Sequence, residues 1–151
     1  MKILMVCLGN ICRSPLAEGI LRQKLIENNL QHIEIDSAGT SDFHVGDAPD
    51  KRTQSNALNH GIDLSKLRGR QFQTKDFDTF DTIYVMDKSN RTNVLNLSKT
   101  ENDRKKVKLI LSEIDGKDNE VPDPYYGGPE GFENVFQLLN SACNNIIQKL
   151  K

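Results

Sequence analysis

The most chemically pointed spacing in the sequence is a cysteine and an arginine with five residues between them, in the run Cys7-Leu8-Gly9-Asn10-Ile11-Cys12-Arg13-Ser14-Pro15. Residues 2–7 (KILMVC) before it are apolar without alternation, as in a strand buried on both faces. Ser14 and Pro15 after it read as an N-cap and a proline at the first helical position. A short loop between strand and helix can turn successive backbone N–H groups inward as an anion nest, reinforced by the helix dipole. Gly9 permits a backbone angle or close approach that other residues resist, and Asn10 tolerates the left-handed region and can hydrogen-bond the loop's own backbone. Arg13 offers a planar fork of donors to two phosphate oxygens. Helix N-termini and nearby cations bring a thiol from a pKa of about 8.5 to roughly 3.5–7.5. Cys7 lies in that field, and the Ser14 hydroxyl is placed to bond its thiolate, the form that attacks phosphorus.

Other uses of these residue types fit less well. A lone buried cysteine at a strand end is usually a small hydrophobe. A dithiol redox site has two residues between its cysteines, whereas Cys7 and Cys12 have four. His32, His44 and His60 do not have the spacing of a metal site, so neither metal nor cofactor is expected. No Gly-Lys-Ser/Thr follows the glycine, which excludes a Walker phosphate loop. A second chemical candidate is Asp123 in Val121-Pro122-Asp123-Pro124-Tyr125-Tyr126-Gly127-Gly128. Two prolines restrict its backbone and present the carboxyl from a stiff loop. By itself, Asp-Pro ahead of glycine is more often an ordinary turn.

These candidates need a frame to hold them. At 151 residues the chain suits one domain over 1–151, and 36% hydrophobic with 27% charged residues is ordinary for a soluble globular protein. A net charge of −1 gives no electrostatic reason to expect nucleic acid or an anionic membrane as partner. The basic run Lys105, Lys106 and Lys108 reads as a solvated surface before a strand. No segment has the length of a membrane span, and the apolar N-terminus is too short for a signal peptide. Three unevenly spaced cysteines fit a reducing cytoplasm better than a disulfide scaffold. Nothing in the sequence sets an oligomeric state.

Further strands are expected at residues 32–37, 82–86 and 107–111. The first helix carries Leu16, Ala17, Ile20, Leu21 and Leu25 on one face and fades at Asn28-Asn29. A second helix covers about 49–60 and stops at Gly61, and Asp87 can cap another. The last helix has the clearest period: Phe132, Val135, Phe136, Leu139, Ala142, Cys143, Ile146, Ile147 and Leu150 form one stripe. Strands alternating with helices imply an α/β, three-layer, single-domain fold with a four-stranded parallel sheet flanked by helices. Ligands in such folds bind beyond the carboxyl ends of strands, which is where the Cys7 loop falls.

The octapeptide from Cys7 to Ser14 and its surroundings resemble the low-molecular-weight protein tyrosine phosphatase family. The similarity includes Asp36-Ser37-Ala38-Gly39-Thr40, His60-Gly61-Ile62, Phe80-Asp81, Met86-Asp87 and Asp123-Pro124-Tyr125-Tyr126-Gly127. The resemblance implies metal-independent hydrolysis of phosphotyrosine in a protein substrate. Cys7 would be the nucleophile, Arg13 the phosphate ligand, and Asp123 the acid for the leaving phenolate and then the base for water. Leu8, Gly9, Asn10, Ile11, Cys12 and Ser14 would complete the phosphate loop. Phe43, where the family usually carries Trp or Tyr, would form one aromatic wall of the cleft, with Tyr125 and Tyr126 as candidates for the other. Cys12 would trap an oxidised Cys7 as a disulfide, whereas Cys143 reads as a core residue. One departure stands out: Leu67-Arg68-Gly69-Arg70-Gln71 occupies the place of the family's His-x-Ala-Arg-Gln.

Three alternatives share some of these features. A related arsenate reductase needs further cysteines in a mobile middle segment, and residues 60–100 contain none. Protein-arginine phosphatases of the superfamily tend to carry threonine at the position of Ile11, where a branched apolar side chain better suits an aromatic ester. A phosphopeptide-binding module without turnover would need neither nucleophile nor acid.

Overall fold

The computed structural model describes residues 1–125 and 127–151. Its elements run β1 (Lys2–Cys7), α1 (Arg13–Glu27), β2 (Glu34–Gly39), α2 (Lys51–Asn59), α3 (Asp76–Thr79), β3 (Thr82–Val85), α4 (Lys88–Leu95), α5 (Glu101–Lys105), β4 (Val107–Leu109), α6 (Ser112–Asp115) and α7 (Pro129–Leu150). All strand pairs are parallel, in the order β2-β1-β3-β4, so the four-stranded sheet expected from the alternating pattern is present.

Side chains of the central strands alternate between two apolar layers. Ile3 and Met5 pack with α1 and the α7 stripe, including Leu16, Leu21, Leu139 and Ile146. Leu4 and Val6 point to the other face, against Phe72, Phe77, Ile83 and Val94. Coverage on both sides explains why residues 2–7 show no polar alternation. The chain leaves β1 for β2 on one side and returns for β3 on the other. The strand order therefore diverges at the carboxyl ends of β1 and β3, which opens a crevice there.

Several boundaries differ from the sequence pattern. β2 is displaced two residues toward the C-terminus, because the parallel register sets Lys2 opposite Glu34 and Cys7 opposite Gly39. β4 ends at Leu109, after which the chain turns into α6. The short helices α3, α5 and α6 span one turn or little more, too few residues for a period to be read. Gly61 follows the α2 C-cap with φ 81°, the left-handed turn its position suggests. Asp87 caps α4 through Oδ1, which accepts from the Asn90 amide at 2.7 Å. At α1 the reading is corrected. The helix begins at Arg13, so Pro15 is its third residue, and the Ser14 hydroxyl turns toward Cys7 instead of capping.

Candidate active site

Residues 8–12 fold into a tight loop because Asn10, and not Gly9, takes the left-handed conformation, with φ 57°. This turn lets the Asn10 amide donate back to Cys7 Sγ at 3.3 Å. Gly9 serves by close approach: a Cβ there would lie 3.2 Å from the His44 ring. Neighbouring Gly39 is more constrained still, since a Cβ on it would lie 2.8 Å from the Leu8 carbonyl oxygen.

Behind the loop is a chain of buried polar groups. The Asn10 Nδ2 donates to Ser14 Oγ at 2.7 Å and to Ser37 Oγ at 3.0 Å, while its Oδ1 accepts from the Arg70 amide at 3.0 Å. With Asn10 donating to it, the Ser14 hydroxyl has its own proton for Cys7 Sγ at 3.1 Å or the Ala38 carbonyl at 3.4 Å. Ser37 Oγ donates to Glu18 Oε1 at 2.6 Å. Burial pushes the Glu18 carboxyl up from its ordinary range, while Ser37 and Arg22, 2.7 Å away, pull it down. Arg70 is itself held by Asp36 and Asp76, each at 3.1 Å. Leu67 packs against the apolar core. With Leu67 in the place of the family's histidine, the Asn10 side chain is held by the Arg70 amide and by Ser37, which bonds Glu18. Ser37 and Arg70 lie in segments compared with the family, but their residue types and spacing gave no sign of these contacts.

Arg13, 3% exposed, opens α1 beneath the cleft. Its Nη1 donates to Asp87 Oδ2 at 2.7 Å and to the Val121 carbonyl at 2.9 Å. Asp87 therefore caps α4 with one oxygen and orients Arg13 with the other. The cap was legible in the sequence, but the second task was not, since 74 residues separate the pair. On the open side, Arg13 Nη2 lies 3.7 Å from Asp123 Oδ2. The other Asp123 oxygen accepts from the Tyr125 amide at 3.0 Å.

These groups meet at a cleft of about 290 Å³ lined by Cys7, Leu8, Gly9, Ile11, Cys12, Arg13, Ser41, Phe43, His44, Asp123 and Tyr125. The candidates from three separate sequence segments thus converge on one cavity. Phe43 stands at the rim, 85% exposed, rather than as a packed wall. Tyr126 lies outside the described residues. Asn10 and Ser14 sit behind the cleft surface and act through the loop. Ser41 and His44 were not singled out by their spacing; His44 Nδ1 is 3.0 Å from Asp47 Oδ2. Burial pushes the Cys12 thiol up to about 12, against the pull of the Thr53 hydroxyl. Cys12 is therefore a neutral thiol at pH 7. Cys143, fully buried in α7, is pushed up to about 12 by burial as well.

A cysteine and an arginine joined by one tight loop, facing a carboxylate across a small cleft, suit attack on a phosphoric monoester. The family model for low molecular weight phosphotyrosine protein phosphatase matches residues 2–151. The chain belongs to the low molecular weight phosphotyrosine protein phosphatase family. By that membership this phosphatase is a phosphoric monoester hydrolase. It is 46% identical over 152 residues to a Synechocystis sp. protein that carries the family name, covering 99% of this chain and 96% of the relative. The crystal structure of protein tyrosine phosphatase from Entamoeba histolytica superposes with a TM-score of 0.93 at 38% identity, covering 99% and 96% of the two chains. Drosophila arginine phosphatase superposes with a TM-score of 0.92 at 36% identity, covering 100% and 98%. Fold similarity therefore does not discriminate between the two substrate classes.

Proposed function

We propose that this phosphatase hydrolyses phosphotyrosine in protein substrates through a phosphocysteine on Cys7. The observation that carries the reading is the convergence of Cys7, Arg13 and Asp123 on one cleft, with Arg13 and Asp123 3.7 Å apart. The phosphoryl group sits over Cys7 with its oxygens on the loop amides and on Arg13. The Cys7 thiolate attacks phosphorus, the P–S bond forms, and the P–O bond to the phenol breaks. Asp123 gives its proton to the departing oxygen. Expelling a phenol of pKa near 10 is helped by such an acid, typically by about 10²–10⁴-fold. Water then attacks the phosphocysteine and loses its proton to Asp123, and inorganic phosphate leaves as the thiolate is restored. No metal enters either step.

Ile11 and Tyr125 on the cleft walls and Phe43 at its rim favour an aryl ester. The arginine reading has the likeness to Drosophila arginine phosphatase in its favour. Against it stands the apolar Ile11, which offers a guanidinium no hydrogen bond. Cys12, at the same cleft, would close a disulfide with an oxidised Cys7 and spare it irreversible oxidation.

The test is turnover without added metal on matched phosphotyrosine, phosphoarginine and phosphoserine peptides. Phosphotyrosine should be preferred. Preference for phosphoarginine would overturn the substrate assignment, and phosphotyrosine binding without turnover would overturn the enzyme reading. Asp123→Ala should slow esters with poor leaving groups far more than activated ones; equal losses would remove Asp123 from the acid role.

A further inference from the structure

The phosphate loop and the acid loop are joined through one surface side chain, Arg52. Its guanidinium grips Asp50 with two side-chain contacts, Nε to Oδ1 at 3.1 Å and Nη2 to Oδ2 at 2.9 Å. Asp50 also caps α2 by accepting from the Arg52 amide at 2.8 Å, and its own amide donates to the Ile11 carbonyl at 2.8 Å. Asp50 is therefore anchored directly to the phosphate loop. Hydrogen bonds from Arg52 hold its carboxyl below the usual range, so the pair stays charged at neutral pH.

The same guanidinium lies over two aromatic rings. Its central carbon lies 4.9 Å from the ring centre of Phe132, a buried residue in the second turn of α7. It lies 5.2 Å from the ring centre of Tyr125, whose amide donates to Asp123 Oδ1. A continuous path thus runs from Ile11 through Asp50 and Arg52 to Tyr125 and Asp123. The always-charged guanidinium suits this place, because its fork binds a carboxylate while its charge lies over the π-systems.

We infer that Arg52 is a positioning residue that clasps the Asp123 loop to the Cys7 loop, so that its loss weakens the proton transfer to the leaving group specifically. The inference rests on Asp123 being the general acid. Arg52 does not line the Cys7 cleft.

The test is a series of aryl phosphates whose phenols range from activated to pKa near 10, assayed with wild type, Arg52→Met, Tyr125→Leu, the double variant and Asp123→Ala. Methionine keeps an apolar stem and removes the charge. Arg52→Met should lower kcat/KM, which reports only the steps up to leaving-group departure, on the poorest leaving group by roughly three- to tenfold, as expected for one partly exposed cation–π contact. The most activated ester should change less than twofold. The double variant should lose little more than the worse single one, since both break the same contact. A uniform loss across the series, or additive losses in the double variant, would overturn the clasp. Should Arg52→Met fail to fold, Arg52→Lys keeps the charge and loses the fork on Asp50. It should show a smaller loss with the same bias toward poor leaving groups, and a flat profile would count equally against the inference. Asp123→Ala separates the two readings. A flat series there removes the acid itself, whereas a steep series beside a flat Arg52 series removes only the clasp.

Discussion

Replacing Gly39 with alanine should damage catalysis although Gly39 carries no side chain and touches no substrate. Gly39 closes β2 opposite Cys7. It cannot retreat, because its amide donates to the Arg70 carbonyl at 2.8 Å and its carbonyl accepts from the Phe72 amide at 2.7 Å. An added Cβ would lie 2.8 Å from the Leu8 carbonyl oxygen and 3.1 Å from both the Asn10 nitrogen and the Gly9 carbonyl carbon. All three are backbone atoms of the phosphate loop, so no rotamer change relieves the clash. Ordinary contact begins near 3.4 Å, which leaves the loop to move by about 0.6 Å. Overpacking of this kind costs roughly 1–3 kcal/mol. For a chain of this length that corresponds to a Tm lowered by roughly 2–12 °C. The catalytic effect is separate. The Asn10 amide sits 3.3 Å from Cys7 Sγ, so a shift of that size breaks their alignment. A 1 Å misplacement can cost about 10²-fold, so this one should cost on the order of tenfold in kcat/KM. The assay is aryl-phosphate turnover well below the variant's Tm, together with the inhibition constant for inorganic phosphate. Both should worsen together. An alanine variant with kcat/KM within twofold of wild type and unchanged phosphate affinity would refute the steric reasoning.

Cys7→Ser should abolish hydrolysis and retain phosphate binding, as measured by turnover and by protection from thermal unfolding; surviving turnover would remove Cys7 as nucleophile. At neutral pH iodoacetamide should modify Cys7 ahead of Cys12 and Cys143, whose thiols burial pushes up to about 12, and peptide mapping would reveal the reverse order. Asp87→Asn should keep the α4 cap through Oδ1 but lower the Tm, since Nδ2 then faces buried Arg13 donor to donor, and weaken phosphate affinity by roughly tenfold, the scale of one charge-assisted contact. Equal affinity would show that the Val121 carbonyl alone holds Arg13. Hydrogen bonds from His60, then Gln137 and Asn56, hold the Glu133 carboxyl down at about 2 in the folded chain. A carboxylate depressed on folding stabilises above its ordinary range, and that contribution fades as pH falls from about 4.5 toward about 2. Glu133 is 45% exposed in its side chain, so the effect is about 1 kcal/mol or less. The Tm gap between wild type and Glu133→Gln should narrow across that window, and a constant gap would contradict the pairing.

The chemistry of this protein was readable where it is local. Cys7, Arg13 and Ser14 lie within eight consecutive residues, so strand, loop and helix must bring them together whatever the rest of the chain does. The α7 stripe was equally plain, because 22 residues give the helical period room to repeat. Asp123 was visible as a stiffened carboxylate, but its turn conformation suited many roles until it stood 3.7 Å from Arg13. Besides the local contacts of Asn10 and Ser14 with Cys7 and with each other, the loop is oriented from distant sequence. Arg13 is held by Asp87 and Val121, 74 and 108 residues away, and Asn10 by Ser37 and the Arg70 amide, 27 and 60 residues away. Such partners are chosen by parallel register and crossover connections, which residue types do not encode one by one. The Arg70 contact was further hidden because a backbone amide leaves no mark in a sequence. The sequence alone determined that a thiol and a guanidinium would stand at the two ends of one short loop. Only the tertiary structure decided what holds Asn10 behind that thiol, because its partners come from two crossover connections, β1 to β2 and β2 to β3.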